Sequence, residues 1–272
     1  MFDSCKKTSL LLLAATLATS QLAVASDVKE TRDEYSGPTL RTSLADAGAY
    51  VTAPLHWDRT NWTEFGVSIA AVALAHHYDD SVRHHFTRRM SNPLDSRNSS
   101  DAKDALPAAV LLAGTWFGGI LTDSSSTRTA AWSMTEAAVL STATTYLLKA
   151  AAGRERPDQT ADANQWRKGG SSFPSLHASA AFALGTAFAE SGTEGSTRWL
   201  TRTVGYGIAG FTAYERLKHN AHWLSDTVAG AAVGTATALF VVHRTYRTSA
   251  LAGLTVAPVD GGLMLAYHRE LP

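Results

Sequence analysis

Ser171-Ser172-Phe173-Pro174-Ser175-Leu176-His177, running on from Ala178 to Glu190 through small and apolar residues, is the stretch that decides the fold. Proline and serine ahead of an apolar run mark a helix start, with Ser175 as the capping residue. The free N–H groups of the first turn and the positive end of the helix dipole make that start a place for an anion. The same pattern of polar punctuation before an apolar helix repeats outward in both directions. Helices are expected from Trp62 to about Tyr78, Lys103 to about Leu121, Thr129 to Ala152, Ser175 to about Glu190, Arg198 to about Leu217 and His222 to about Arg244. Ser91-Asn92-Pro93, Asp123 to Ser126 and Ser191-Gly192-Thr193 separate them. The expected fold is all-α, a helical bundle of about six helices over residues 61–248.

Outside the bundle, residues 26–60 are broken by Gly37-Pro38 and Pro54 and read as an N-terminal arm, extended or in short helices. Leu254 to Val259 and Leu263 to Tyr267 flank Asp260-Gly261-Gly262, which predicts a C-terminal β-hairpin within residues 249–272. Residues 1–25 read as an export signal: Lys6 and Lys7, then the apolar Leu10 to Leu17, then Ala23-Val24-Ala25. A mature chain starting near Ser26 is expected in a periplasm, soluble or membrane-associated. The single cysteine, Cys5, falls within that signal. The exported chain would then hold no thiol for a disulfide, a thiolate nucleophile or a cysteine metal site.

The 24 Lys and Arg balance the 24 Asp and Glu, and no basic run offers a footprint for nucleic acid. Mean hydropathy is −0.08. The most apolar runs, Ala108 to Leu121 and Val228 to Val242, fall short of the roughly 20 residues a membrane span needs. The expectation is a soluble bundle, or one in peripheral contact with a membrane. Composition is silent on oligomeric state.

Three motifs carry chemistry. Lys149 and Arg156 stand seven residues apart, two helical turns and therefore one face, with Pro157 ending the helix. His177 falls in the first turn after Ser175 and Leu176, beside any anion held there, where the dipole favours release of its proton; that suits a general acid. His222 and Asp226 are four apart, so the carboxylate can take the Nδ1 proton and leave Nε2 free to attack, and Arg216 in the preceding turn offers a planar fork for phosphate oxygens. Together these residues provide what phosphoryl transfer needs without a metal or other cofactor: cations for the equatorial oxygens, a nucleophile, and an acid for the leaving group.

The order Lys-x6-Arg-Pro, Pro-Ser-x-His, Arg-x5-His-x3-Asp resembles the type 2 phosphatidic acid phosphatase superfamily, which includes lipid phosphate phosphatases, bacterial class A acid phosphatases and vanadium haloperoxidases. The resemblance covers about residues 104–245. It implies a helical bundle, a metal-free phosphatase acting through a phosphohistidine on His222, and phosphate-binding roles for Lys149, Arg156, Ser175, Leu176 (through its backbone N–H) and Arg216, with His177 and Asp226 completing the catalytic set. A phosphorylated small molecule or a lipid phosphate is the substrate this implies. Two positions depart from the pattern: Leu176 replaces the usual glycine, and Glu215 replaces the usual serine before Arg216, where it is expected to pair with Arg216 or face solvent. The alternatives within the same pocket are a vanadate-loaded haloperoxidase and a non-catalytic phosphate-binding bundle.

His76-His77 with Asp79-Asp80, and His84-His85, invite a metal reading, but neighbours on a helix point apart and chelate poorly. Arg154 is expected to stand in for Arg156 only if the helix ends early. Trp116, Trp132 and Trp223 read as packing residues.

Overall fold

The computed structural model describes residues 40–94, 101–192, 195–252, 254–259 and 262–267. Eight α-helices occur among them: α1 (Leu40–Thr52), α2 (Arg59–His77), α3 (Asp79–Thr87), α4 (Asp101–Leu121), α5 (Ser125–Ala152), α6 (Leu176–Glu190), α7 (Gly195–Lys218) and α8 (Leu224–Ala252). All six expected helices are present. Helix α5 starts four residues earlier than expected, because Ser124 caps it by accepting the N–H of Thr127. Helix α8 starts two residues later, leaving His222 just outside it. The arm contributes α1 and a 3-10 turn at Ala53–His56, and Asp79–Thr87 adds a short helix the periodicity did not single out.

Helix α6 is the centre of the bundle. It packs on α4, α5 and α7, and its small side chains are buried around most of its circumference. The core joins Ala181, Leu184 and Ala187 of α6 to Met134 and Ala137 of α5, Ala209 of α7 and Val241 of α8. Few large side chains lie between the helices, so backbones approach closely. A Cβ on Gly234 of α8 would stand 2.1 Å from the carbonyl oxygen of Ser179, and one on Gly230 would stand 2.5 Å from that of Ser175. Glycine is therefore required at both positions.

Helix α1 is tied to α5 and α8 by polar contacts. The Tyr50 hydroxyl lies 2.8 Å from Thr237 Oγ1 and 3.1 Å from Thr144 Oγ1, and Arg244 Nε donates to Asp46 Oδ1 at 2.6 Å. Beside this pair, burial first and the charge of Asp46 second push the Glu136 carboxyl up to about 7.

The outer faces carry much apolar surface. Phe117, Ile120 and Leu121 of α4, Leu147 of α5, and Trp199 of α7 are all more than half exposed. Ala102–Leu121 and Leu224–Thr245 are long and apolar enough to cross a membrane, and only 22% of the first is buried within the bundle. The sequence runs alone fell short of that length; the helices extend past them. The described residues from Thr248 onward belong to a unit separate from that of the bundle. The strands Leu254–Val259 and Gly262–Tyr267 pair antiparallel in that unit, and the hairpin remains an expectation there. The export signal lies outside the described residues.

Candidate active site

The site assembles where three chain segments end or begin. Helix α5 ends at Ala152 on Gly153, which takes a left-handed φ of +53° and donates its N–H to the Lys149 carbonyl at 2.9 Å. The helix therefore stops before Arg156, and the expected shared helical face of Lys149 and Arg156 does not exist. What positions Arg156 is a set of anchors on the loop. The Glu155 carbonyl accepts Trp223 Nε1 at 3.0 Å, and the Pro157 carbonyl accepts Asn220 Nδ2 at 3.0 Å and Arg83 Nε at 3.2 Å. Asn220 is buried with φ of +54°, a conformation asparagine tolerates, and its side chain also donates to the Pro93 carbonyl at 2.7 Å.

Lys149 is buried in the last turn of α5 and donates from Nζ to the carbonyl oxygens of Ser171 and Ser172. Ser175 caps α6 as expected, its Oγ accepting the Ala178 N–H at 3.4 Å. Leu176 and His177 occupy the first two positions of that helix, both half-buried. Arg216, in the last turn of α7, is buried and donates from one terminal nitrogen to Asp104 Oδ2 at 2.7 Å. Glu215 does not pair with Arg216; it bonds Lys218 at 3.0 Å and lies 3.4 Å from His219 Nε2. Asp104, Glu215 and His219 cluster within 4.8 Å, each already engaged by Arg216, Lys218 or one another.

His222 sits at the focus. It is buried, and neither ring nitrogen has a hydrogen-bond partner among the described residues. Burial holds its pKa well below the ordinary histidine value, and the charges of Lys149, Arg216, Arg156 and His177 press it lower still. The imidazole is neutral, with a lone pair available, inside a field of cationic groups. Asp226 Oδ2 lies 3.5 Å from His222 Nδ1. The contact is not made along a helix, since His222 precedes α8. Asp226 is the third residue of α8 and its Oδ2 accepts the Trp223 N–H at 2.9 Å, as a capping carboxylate does.

Sequence reasoning missed the residues behind Asp226. Arg154 is fully buried and does not stand in for Arg156: it donates to Asp226 Oδ1 and Asp79 Oδ2, both at 2.6 Å. Ser172 Oγ donates to Asp226 Oδ2. Asp79, dismissed with the paired histidines, is buried and accepts the Ser225 N–H at 2.8 Å and its hydroxyl at 2.7 Å. His76 Nδ1 lies 2.8 Å from Asp79 and Nε2 lies 3.1 Å from Asn164 Oδ1, so its ring belongs to this network.

Burial pushes the Asp226 carboxyl up, while Arg154, the Ser172 hydroxyl and the Trp223 N–H act against that. Beside the site, Leu148, Ala151, Ala152, Trp166, Arg167 and Phe173 line an open groove of about 410 Å³, mostly apolar.

Residues 130–249 match the family model described as the PAP2 superfamily. The chain is also similar to the lipid A 1-phosphatase of Porphyromonas gingivalis, 42% identical over 83 residues. That match covers 30% of this chain and spans only 16% of the length of the relative. No solved structure matches the chain.

Proposed function

We propose, from the match of residues 130–249 to the PAP2 superfamily model, that the chain is a metal-independent phosphatase of lipid phosphates that works through a phosphohistidine. The observation that carries this reading is His222, neutral and buried, with no partner on Nε2 and four positively charged or chargeable groups acting on it. Positive charge from Lys149, Arg156 and Arg216, with N–H groups at the start of α6, supplies what a divalent cation supplies in other phosphoryl-transfer sites.

In the proposed reaction, Nε2 of His222 attacks phosphorus and the bond to the leaving oxygen breaks. His177 gives that oxygen a proton and the alcohol departs. His177 then takes a proton from water, which attacks the phosphohistidine and releases phosphate. Asp226 remains a carboxylate throughout and accepts a hydrogen bond from Nδ1–H of His222. Leu176 contributes its backbone N–H from the first turn of α6.

Three observations support an apolar alcohol. The groove from Leu148 to Phe173 adjoins the loop that holds Lys149. The exposed faces of α4, α5 and α7 are suited to a membrane surface. The relative from P. gingivalis is named for a lipid phosphate. Export to a periplasm and attachment there to the outer face of a membrane are part of the proposal.

The test is release of phosphate in EDTA from p-nitrophenyl phosphate, phosphatidic acid and a lipid A preparation, with His222→Ala as control. Release that requires His222 and favours the lipids supports the reading, as does a 32P label on the quenched protein that is stable to base and lost in acid. Activity only with added metal, or only with vanadate, peroxide and bromide, would overturn it.

A further inference from the structure

The buried group behind His222 has three ionisable members, Arg154, Asp226 and Asp79. Every direction of the Arg154 guanidinium is committed. One terminal nitrogen donates to Asp226 Oδ1 and Ser225 Oγ, the other to Asp79 Oδ2, and the Ala163 carbonyl accepts from Nε at 3.1 Å and from a terminal nitrogen at 2.7 Å. Its carbon lies over the Trp166 ring at 4.5 Å and the Trp223 ring at 5.2 Å from the centroids.

The two oxygens of Asp226 are thereby divided. Oδ1 belongs to Arg154, while Oδ2 takes the Ser172 hydroxyl and the Trp223 N–H and is the oxygen nearest His222 Nδ1. Asp79 completes the clamp from the far side, and it is fixed through Ser225, the residue next to Asp226. Resting on the phosphohistidine reading above, we infer that Arg154 is a positioning residue: it keeps Asp226 charged and turned so that Oδ2 holds the His222 proton on Nδ1, which leaves Nε2 to attack.

The physical case turns on what Asp226 would do alone. A fully buried carboxylate without its countercharge takes up a proton. A protonated Asp226 donates where it should accept, and His222 loses its reason to carry the proton on Nδ1. Lysine could not replace the fork, since one ammonium cannot hold Asp226, Asp79 and the Ala163 carbonyl in a plane. The charged and titratable groups around the pair are Arg154 and Asp79 from behind, His76 on Asp79, and Lys149, Arg156, Arg216 and His177 on the His222 side.

The experiment is 15N NMR of histidine-labelled full chain, reading the His222 tautomer against pH in wild type, Arg154→Gln and Asp226→Asn, beside kcat and KM on the best substrate. The wild type should show the Nδ1–H tautomer. R154Q should resemble D226N near pH 6, with kcat down about a hundredfold and KM within about threefold. As pH rises and Asp226 ionises, the R154Q tautomer and kcat should recover toward wild type, whereas D226N should not recover. Adding R154Q to D226N should cost less than about threefold more, because the two act as a unit.

A folded R154Q with the wild-type tautomer, or with a loss equal at every pH, or additive with D226N, overturns the inference. If the glutamine variant does not fold, Arg154→Lys decides: a disturbed tautomer supports the inference, and a wild-type tautomer with wild-type kcat overturns it. The tautomer needs no turnover, so an inactive wild type would count against the phosphatase reading while this reading is still decided by the spectra.

Discussion

The Ser175 N–H donates to the Asp226 carbonyl at 2.9 Å, so the residue that caps α6 is hydrogen-bonded, backbone to backbone, to the residue that faces His222. That bond ties the start of α6 to the start of α8. Three of the four predictions below test parts of that assembly or its surroundings, and the fourth tests the strap formed by α1.

Burial of neutral His222 makes stability depend on pH. Its folded pKa lies below the unfolded value of about 6.5, so the unfolded chain binds the extra proton and stability is lost as pH falls below that value. The slope from this one group approaches about 1.4 kcal/mol per pH unit between the two pKa values. Urea denaturation of wild type and His222→Gln at pH 7 and pH 5 should show the wild type losing more than the variant. Parallel losses would mean that His222 is not held neutral.

The close approach of α6 and α8 sets a size limit. Gly234→Val should place atoms into the Ser179 backbone and cost about 1–3 kcal/mol of stability. Gly207→Ala, on α7 where an added Cβ meets nothing within 4 Å, should instead stabilise by about 0.5–1 kcal/mol. Thermal unfolding of the two variants checks both signs, and equal effects would contradict the packing described for α6 and α8.

Two kinds of feature were legible from residue order: helix existence and the capping serine of α6. Those depend on spacing within a few positions. Asp79, Asp104 and Ser172 are joined to Ser225, Arg216 and Asp226 across 146, 112 and 54 positions, and no local period encodes such pairings. The reading of Lys149 and Arg156 as one helical face failed because Gly153, a residue helices tolerate, here ends α5 in a left-handed turn. Glu215 looked like a partner for Arg216 because the two are adjacent, but adjacent residues on a helix point apart.

Glu136 gives the opposite pH dependence to His222. Its folded pKa, raised to about 7, makes its contribution fade as pH climbs from the ordinary carboxyl range through 7. Glu136→Gln should therefore be more stable than wild type at pH 8 and lose that advantage near pH 4, as chemical denaturation at the two values will show. An advantage that does not change with pH would rule out a raised carboxyl at this position.

The groove makes a prediction about substrate choice. Leu148→Ser removes apolar surface from its wall without touching the loop anchors. It should raise KM about tenfold for a long-chain lipid phosphate and leave p-nitrophenyl phosphate within about twofold, in line with the value of one apolar contact. Steady-state kinetics on both substrates decide, and an equal change in the two would detach the groove from substrate binding.

The contact of α6 and α8 through glycine has a consequence for how such a chain can change over time. Where two helices meet through side chains, each substitution shifts the axes a little, and any distance measured across them drifts. Here Gly230 and Gly234 bring main chain against main chain, so the spacing between the start of α6 and the start of α8 is a property of the backbone. The outer helices can exchange residues freely to suit a new surface, while the separation of His177 and His222 stays as it was.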